Sequence, residues 1–121
     1  MTEITLNGIV YVPKAEVKEA MAKKFEGMDY VIIRTYSAGV HAGYLESRQG
    51  KEAVLRDSRR LWKWAGAFTL SELAKNGTTN PNECKFATTI DTILLTEAIE
   101  IIPCTERAKK IIESVVDYDV N

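Results

Sequence analysis

Residues 34–64, "RTYSAGVHAGYLESRQGKEAVLRDSRRLWKW", decide how this chain folds. From Tyr30 to Trp64 apolar and polar side chains alternate with a period of two, and glycine recurs where a chain would reverse, at Ala38-Gly39 and Gln49-Gly50. That pattern predicts an antiparallel β-meander. Two-residue loops at both glycines fix a register, because the side-chain period of a strand is two. Arg34 then lies opposite Gly43, Gly43 opposite Arg56, and Tyr36 opposite His41. The result is one row across three strands, Arg34, Gly43 and Arg56, with Tyr36 and His41 beside it. Two planar guanidinium forks flanking a position without a side chain form a slot for a phosphate or pyrophosphate. A strand glycine marks close approach of a ligand or of another backbone, and equally a bulge. The bland alternative is that both arginines lie over a solvated face and pair with Glu46, Glu52 or Asp57, at about 0 to 1 kcal/mol each.

The end of the stretch adds flat surface. Arg60, Trp62 and Trp64 alternate onto one face, with Phe68 just beyond Gly66. Aromatic rings stack on nucleobases at about 1 to 3 kcal/mol per base, and arginine adds a cation–π contribution. Two tryptophans in a small domain also serve as core or interface anchors. His41, the chain's single histidine, is a general base only with an orienting partner or a nucleophile in reach. No GxSxG, HExxH, Walker-type or paired-carboxylate signature is present, so no catalytic residue is assigned. Thr105 and Arg107, with Lys109 and Lys110, open the last helix, where free backbone N–H groups accept an anion. The polar face of any surface helix looks similar.

Around the meander, "ITLNGIVYVP" places Asn7-Gly8 between β-formers and predicts a hairpin. "KAEVKEAMAKKFEG" spaces Val17, Ala20, Met21 and Phe25 as an amphipathic helix entered at Pro13 and left at Gly27. "TLSELAKNG" has the Thr69/Glu72 spacing of a capping box and a terminal Gly77. "TTNPNECKF" reads as a polar loop, "TILLTEAIEII" as one long strand, and "PCTERAKKIIESVV" as a closing helix with Ala108, Ile111, Ile112, Val115 and Val116 on one stripe. The expected class is α+β, a mostly antiparallel sheet carrying two or three helices. The organisation is a single domain over 1–121: hairpin and helix at 1–28, meander at 29–64, short helix at 69–77, strand plus closing helix at 93–116.

The totals narrow the function. The 121 residues are 45% hydrophobic and 27% charged, enough for one core that buries roughly two thirds of the unfolded surface. Lys and Arg number 16 against 17 Asp and Glu, a net charge of −1, so no bulk attraction to DNA, RNA or an anionic membrane is expected. Without a long apolar run or a signal-peptide pattern, the expected location is the cytoplasm. Cys84 and Cys104 lack metal-ligand or redox spacing and read as two reduced thiols. No metal or cofactor is implied.

Residues 34–64, together with "SELAKNGT" and "LTEAIEIIPCTERAK", resemble the small phage proteins of the Thoeris anti-defence sponge family, of the first-described type. The resemblance covers about residues 29 to 112. It implies a protein without enzymatic activity, acting in the cytoplasm of an infected or lysogenic bacterium, that binds a cyclic ADP-ribose isomer made by an immune TIR-domain enzyme and keeps it from its effector. It also implies homodimers or higher homo-oligomers with pockets near the subunit boundary, and in some members capture of cyclic oligonucleotides at a second site. The ligand role it carries over falls on Arg34, Tyr36, His41, Trp62, Trp64 and Arg107. A ligand of this kind needs donors for its pyrophosphate, polar groups for its ribose hydroxyls and one stacking ring. Nanomolar capture corresponds to about 12 kcal/mol and favours an enclosed site. An enzyme that degrades the same signal, and a structural phage protein that binds nothing small, are the competing readings.

Overall fold

The computed structural model describes residues 4–6, 9–11 and 20–118. In chain order the elements are β1 (Ile4–Leu6), β2 (Ile9–Tyr11), β3 (Asp29–Thr35), β4 (Val40–Gln49), β5 (Glu52–Lys63), α1 (Leu70–Asn76), a 3-10 turn (Pro81–Glu83), β6 (Lys85–Phe86), β7 (Ile90–Leu95), β8 (Ala98–Pro103) and α2 (Glu106–Ser114). The fold is α+β: a six-stranded antiparallel sheet with two helices among the described residues. β1 and β2 pair as a separate antiparallel hairpin, whose turn at Asn7-Gly8 lies outside the described residues.

The sheet runs β6-β5-β4-β3-β8, with β7 also on β5. The predicted single strand through "TILLTEAIEII" is in fact two. It breaks at Thr96-Glu97, because β7 pairs with β5 while β8 pairs with β3. The link is pinned by Tyr36 N–H donating to Glu97 O at 3.0 Å and Ala98 N–H donating to Lys51 O at 2.9 Å. Two residues therefore join strands whose partners are separated by β4, and the sheet curls. Inside the curl Val31, Ile33, Ala53, Leu55 and Leu95 form one apolar cluster. On the opposite face Tyr30, Ile32, Ala42, Tyr44 and Leu61 pack with Phe86 and with Leu73, Ala108 and Ile112 from the two helices. β3 is hydrophobic on both faces for this reason, and its run "YVII" is buried throughout.

Both helices start as their sequences dictate. Thr69 accepts from Glu72 N–H at 3.1 Å, and the Glu72 carboxylate reaches back to Phe68 N–H at 3.2 Å, a capping box displaced by one residue. Gly77 closes α1 with its N–H on Leu73 O. Thr105 caps α2 by accepting from Ala108 N–H at 3.1 Å. Ala108, Ile112 and Val115 are buried, but Val116 is 81% exposed because the helix stops at Ser114. The amphipathic helix expected before Gly27 fails over residues 20–27; its beginning lies outside the described residues. Ala20 and Ala22 instead bond the backbone of Glu106 and Cys104, and Glu26-Gly27, both with positive φ, make a tight turn that pairs Phe25 with Met28. Backbone pairing next to the start of α2 overrides the helical spacing.

The meander is correct but its predicted register is not. Four residues, Tyr36 to Gly39, connect β3 to β4, and the last pair of the ladder is Arg34 with Val40, so Gly43 pairs with Val31. The second turn is Gly50-Lys51, one residue later than expected. The row Arg34, Gly43, Arg56 therefore does not form. Gly43 instead faces a bulge in β5, where Asp57 holds φ at 50° and the pairing slips between Ala42↔Arg59 and Tyr44↔Arg56. A Cβ on Gly43 would stand 3.0 Å from Arg56 O and 3.1 Å from Ser58 Cα.

The bulge changes the phase of β5. Before it Ala53 and Leu55 face the interior of the curl; after it Arg59 and Leu61 face the helices, while Ser58, Arg60 and Trp62 continue the face of Leu55. Arg59 is 3% exposed, and each of its five N–H donors finds an acceptor: Nε to Ala87 O (2.9 Å), Nη1 to Ile112 O and Val115 O (3.0 and 2.7 Å), Nη2 to Phe86 O (3.5 Å) and Asp117 Oδ1 (3.0 Å). Two of those oxygens end α2, the negative pole of that helix.

Two substitutions test this frame by urea denaturation. Arg59→Met removes every donor from a buried set of acceptors and should cost about 3 to 5 kcal/mol; an unchanged midpoint would refute the clamp. Gly43→Ala crowds the backbone of the bulge and should cost about 1 to 3 kcal/mol.

Candidate functional site

A concavity of about 190 Å³ opens on the sheet face opposite the helices, lined by His41, Ser58, Arg60, Trp62, Ala87, Thr88, Ile90 and Ile93. It follows from the bulge. His41 on β4 pairs with Arg60 on β5, so their side chains emerge together, and Ser58 and Trp62 flank Arg60 two positions either way. Ala87 and Thr88, between β6 and β7, and Ile90 and Ile93 of β7 supply the far wall.

His41 is 1% exposed. Its Nε2 lies 2.9 Å from Ala38 O. A carbonyl oxygen only accepts, so Nε2 carries the proton and Nδ1 keeps a lone pair. Burial, helped by the charge of Arg60, holds the imidazole below its ordinary pKa and keeps the ring neutral. Ser58 is equally buried, yet its Oγ has no hydrogen-bond partner. Arg60 is exposed, and Trp62 is 54% exposed with its other side against Tyr118, ring centroids 5.7 Å apart at 74°. The wall thus combines one cation, one flat ring, one bare acceptor and one unsatisfied hydroxyl with the aliphatic surface of Ile90 and Ile93.

Of the residues singled out in the sequence, this concavity gathers His41, Arg60 and Trp62. Arg34 donates to Glu100 at 2.6 Å and Arg56 to Glu46 at 3.1 Å, so each fork is already engaged on the surface. Tyr36 is 78% exposed and Phe68 97% exposed, both outside the site. Trp64 lies past the end of β5 and packs on the helix-side core, so it does not share the face of Trp62. Gly43 serves the bulge. Thr105 is spent on the cap and on Lys75 O, and Arg107 binds Asn76 at 2.8 Å. Sequence reasoning missed Ser58, Thr88, Ile90 and Ile93. The one signal for Ser58 was the Asp preceding it, a residue type that tolerates the positive φ of a bulge. Cys84 and Cys104 are free and buried, and burial pushes the Cys104 thiol up to about 12, which keeps it protonated and unreactive at neutral pH.

Among the described residues no group of three or more His, Cys, Asp or Glu is placed to hold a metal ion, and no helix is long and apolar enough to cross a membrane. Residues 28–112 match a family described as a domain of unknown function (DUF6948), and the chain belongs to that family. No curated protein and no solved structure matches the chain.

The neutral His41 sets a pH dependence. Because its folded pKa is depressed, the unfolded chain binds the proton more readily; stability is full above the ordinary value of about 6.5 and declines as pH falls below it. Melting temperatures of the parent and of His41→Gln between pH 5 and 8 should show a steeper acid-side fall for the parent. Superimposable slopes would remove His41 as the cause.

Proposed function

We propose that this protein captures an anionic nucleotide in the cleft of His41, Ser58, Arg60 and Trp62 without breaking a bond in it. The observation that carries the reading is the convergence of an exposed guanidinium and a half-exposed indole on one concavity floored by polar groups. A phosphate takes the planar donors of Arg60, and a base lies against Trp62, whose edge contact with Tyr118 holds the ring upright. The absence of a hydrogen bond between the buried Ser58 hydroxyl and the neutral His41, whose Nε2 is held on Ala38 O, supports binding over nucleophilic chemistry in this reading.

Among nucleotides, the resemblance of residues 29 to 112 to the Thoeris anti-defence sponges favours a cyclic ADP-ribose isomer, and with it a role for a phage in silencing a TIR-derived immune signal. Size supports a shared site. A cleft of about 190 Å³ is smaller than the roughly 300 to 1,000 Å³ that encloses a drug-sized ligand. It holds a nucleoside-sized portion, and a second copy of the chain would cover the remainder.

The test is to incubate the protein with lysate from cells in which a TIR enzyme has been activated, wash away free metabolites, heat, and analyse the released material by mass spectrometry. A nucleotide of unchanged mass and chromatographic mobility is expected. Arg60→Ala and Trp62→Ala should each lower retention by roughly tenfold, in line with about 1 to 3 kcal/mol for a stacked base. A converted product would replace capture with catalysis, and an empty eluate would end the reading.

A further inference from the structure

Ser58 is the one member of the cleft that the fold leaves unfinished. Its side chain is 1% exposed, and its Oγ is one of two buried side-chain polar atoms among the described residues without a hydrogen-bond partner. Buried polar groups are nearly always paired, and a hydroxyl left unpaired destabilises the fold. The bulge at Asp57 is what turns Ser58 toward the cleft. An alanine at this position would suit the curl's apolar interior better, so the hydroxyl works against the fold.

Beside it His41 lines the same cleft with Nε2 bound to Ala38 O, which leaves Nδ1 able only to accept. A phosphate oxygen accepts as well and has nothing to offer that nitrogen. A sugar hydroxyl both donates and accepts, so it suits Nδ1 and Ser58 Oγ together. The cation that attracts phosphate, Arg60, is the exposed member of the group. The two polarities are therefore separated by depth, with hydroxyl-reading groups at the floor and the anion-reading group at the rim.

We propose that Ser58, with His41, forms a ribose-reading floor, so that the cleft distinguishes ribonucleotides from nucleotides lacking the sugar diol. This rests on the nucleotide-capture reading above. Binding completes the hydrogen bonding of Ser58 that folding left open, and the residue sacrifices stability for recognition.

The experiment uses the full chain and calorimetry with three probes: AMP, 2′,3′-dideoxy-AMP and cyclic ADP-ribose. The parent should bind AMP more tightly than the dideoxy compound. Ser58→Ala should weaken AMP roughly three- to tenfold, as expected for one neutral hydrogen bond, leave the dideoxy compound unchanged, and melt at or above the parent's temperature. The inference is overturned if the parent binds AMP and dideoxy-AMP equally, a comparison that needs no variant. It is overturned too if Ser58→Ala keeps full affinity for AMP or melts clearly below the parent, since the hydroxyl would then serve the fold. If the parent binds cyclic ADP-ribose, which carries ribose hydroxyls of its own, but not AMP, Ser58→Ala should weaken cyclic ADP-ribose by the same factor; unchanged affinity leaves capture standing and removes the ribose floor. None of the three bound removes both.

Discussion

A single buried guanidinium organises this protein. Taking the charge of Arg59 out of water costs several kcal/mol in desolvation, and that cost is offset only if every donor is met and the surroundings are negative. Both conditions hold. Two carbonyls at the end of α2, two from the segment after the 3-10 turn and the Asp117 carboxylate take all five N–H groups, and the Phe86 ring lies 5.4 Å from the guanidinium carbon. Helix, edge strand and C-terminal segment are thereby fastened to the middle of the longest strand. The surface pairs Arg34–Glu100 and Arg56–Glu46 have good distances too. Solvent screens them, so they contribute about 0 to 1 kcal/mol each and fasten nothing comparable.

Because strand side chains alternate, fixing Arg59 toward the helices aims its neighbours Ser58 and Arg60 the other way. The bulge at Asp57 makes this compatible with the first half of β5, where odd-numbered residues already face the interior of the curl. One extra residue lets Ala53, Leu55, Ser58, Arg60 and Trp62 share a face despite the change of parity. Gly43 is part of the same device, since the bulged backbone occupies the space its side chain would need. The glycine that suggested a ligand slot is thus explained by backbone approaching backbone. The cleft is its indirect product, one residue further along β5.

The helix caps, the α+β class and the meander were legible in the sequence because each depends on neighbours a few residues apart. Thr69 and Thr105 act on N–H groups three residues on, and strand alternation needs no knowledge of the partner. Arg60, Trp62 and His41 were legible as candidates because their chemistry is visible in their residue types. Ser58 was not, since a serine among arginines is ordinary until its hydroxyl is seen buried without a partner. The predicted row of Arg34, Gly43 and Arg56 failed because register is set by turn length. A longer first turn, which pairs Arg34 with Val40, and a register shift between Leu45 and Ser47, which pairs Arg56 with Tyr44, each change parity.

By itself, then, the sequence determined where the two capped helices begin, that residues 30–63 form an antiparallel meander, and which side chains could meet an anion or a ring, all consequences of short-range geometry. Only the tertiary structure decided which of those side chains meet. That choice depends on the pairing of β7 and β8 with strands far away in the chain, on one non-glycine residue at positive φ, and on where a buried arginine could find five acceptors. Those are conditions of the assembled fold, because the acceptors come from two segments, residues 86–87 and 112–117, that meet Arg59 only when the core is closed.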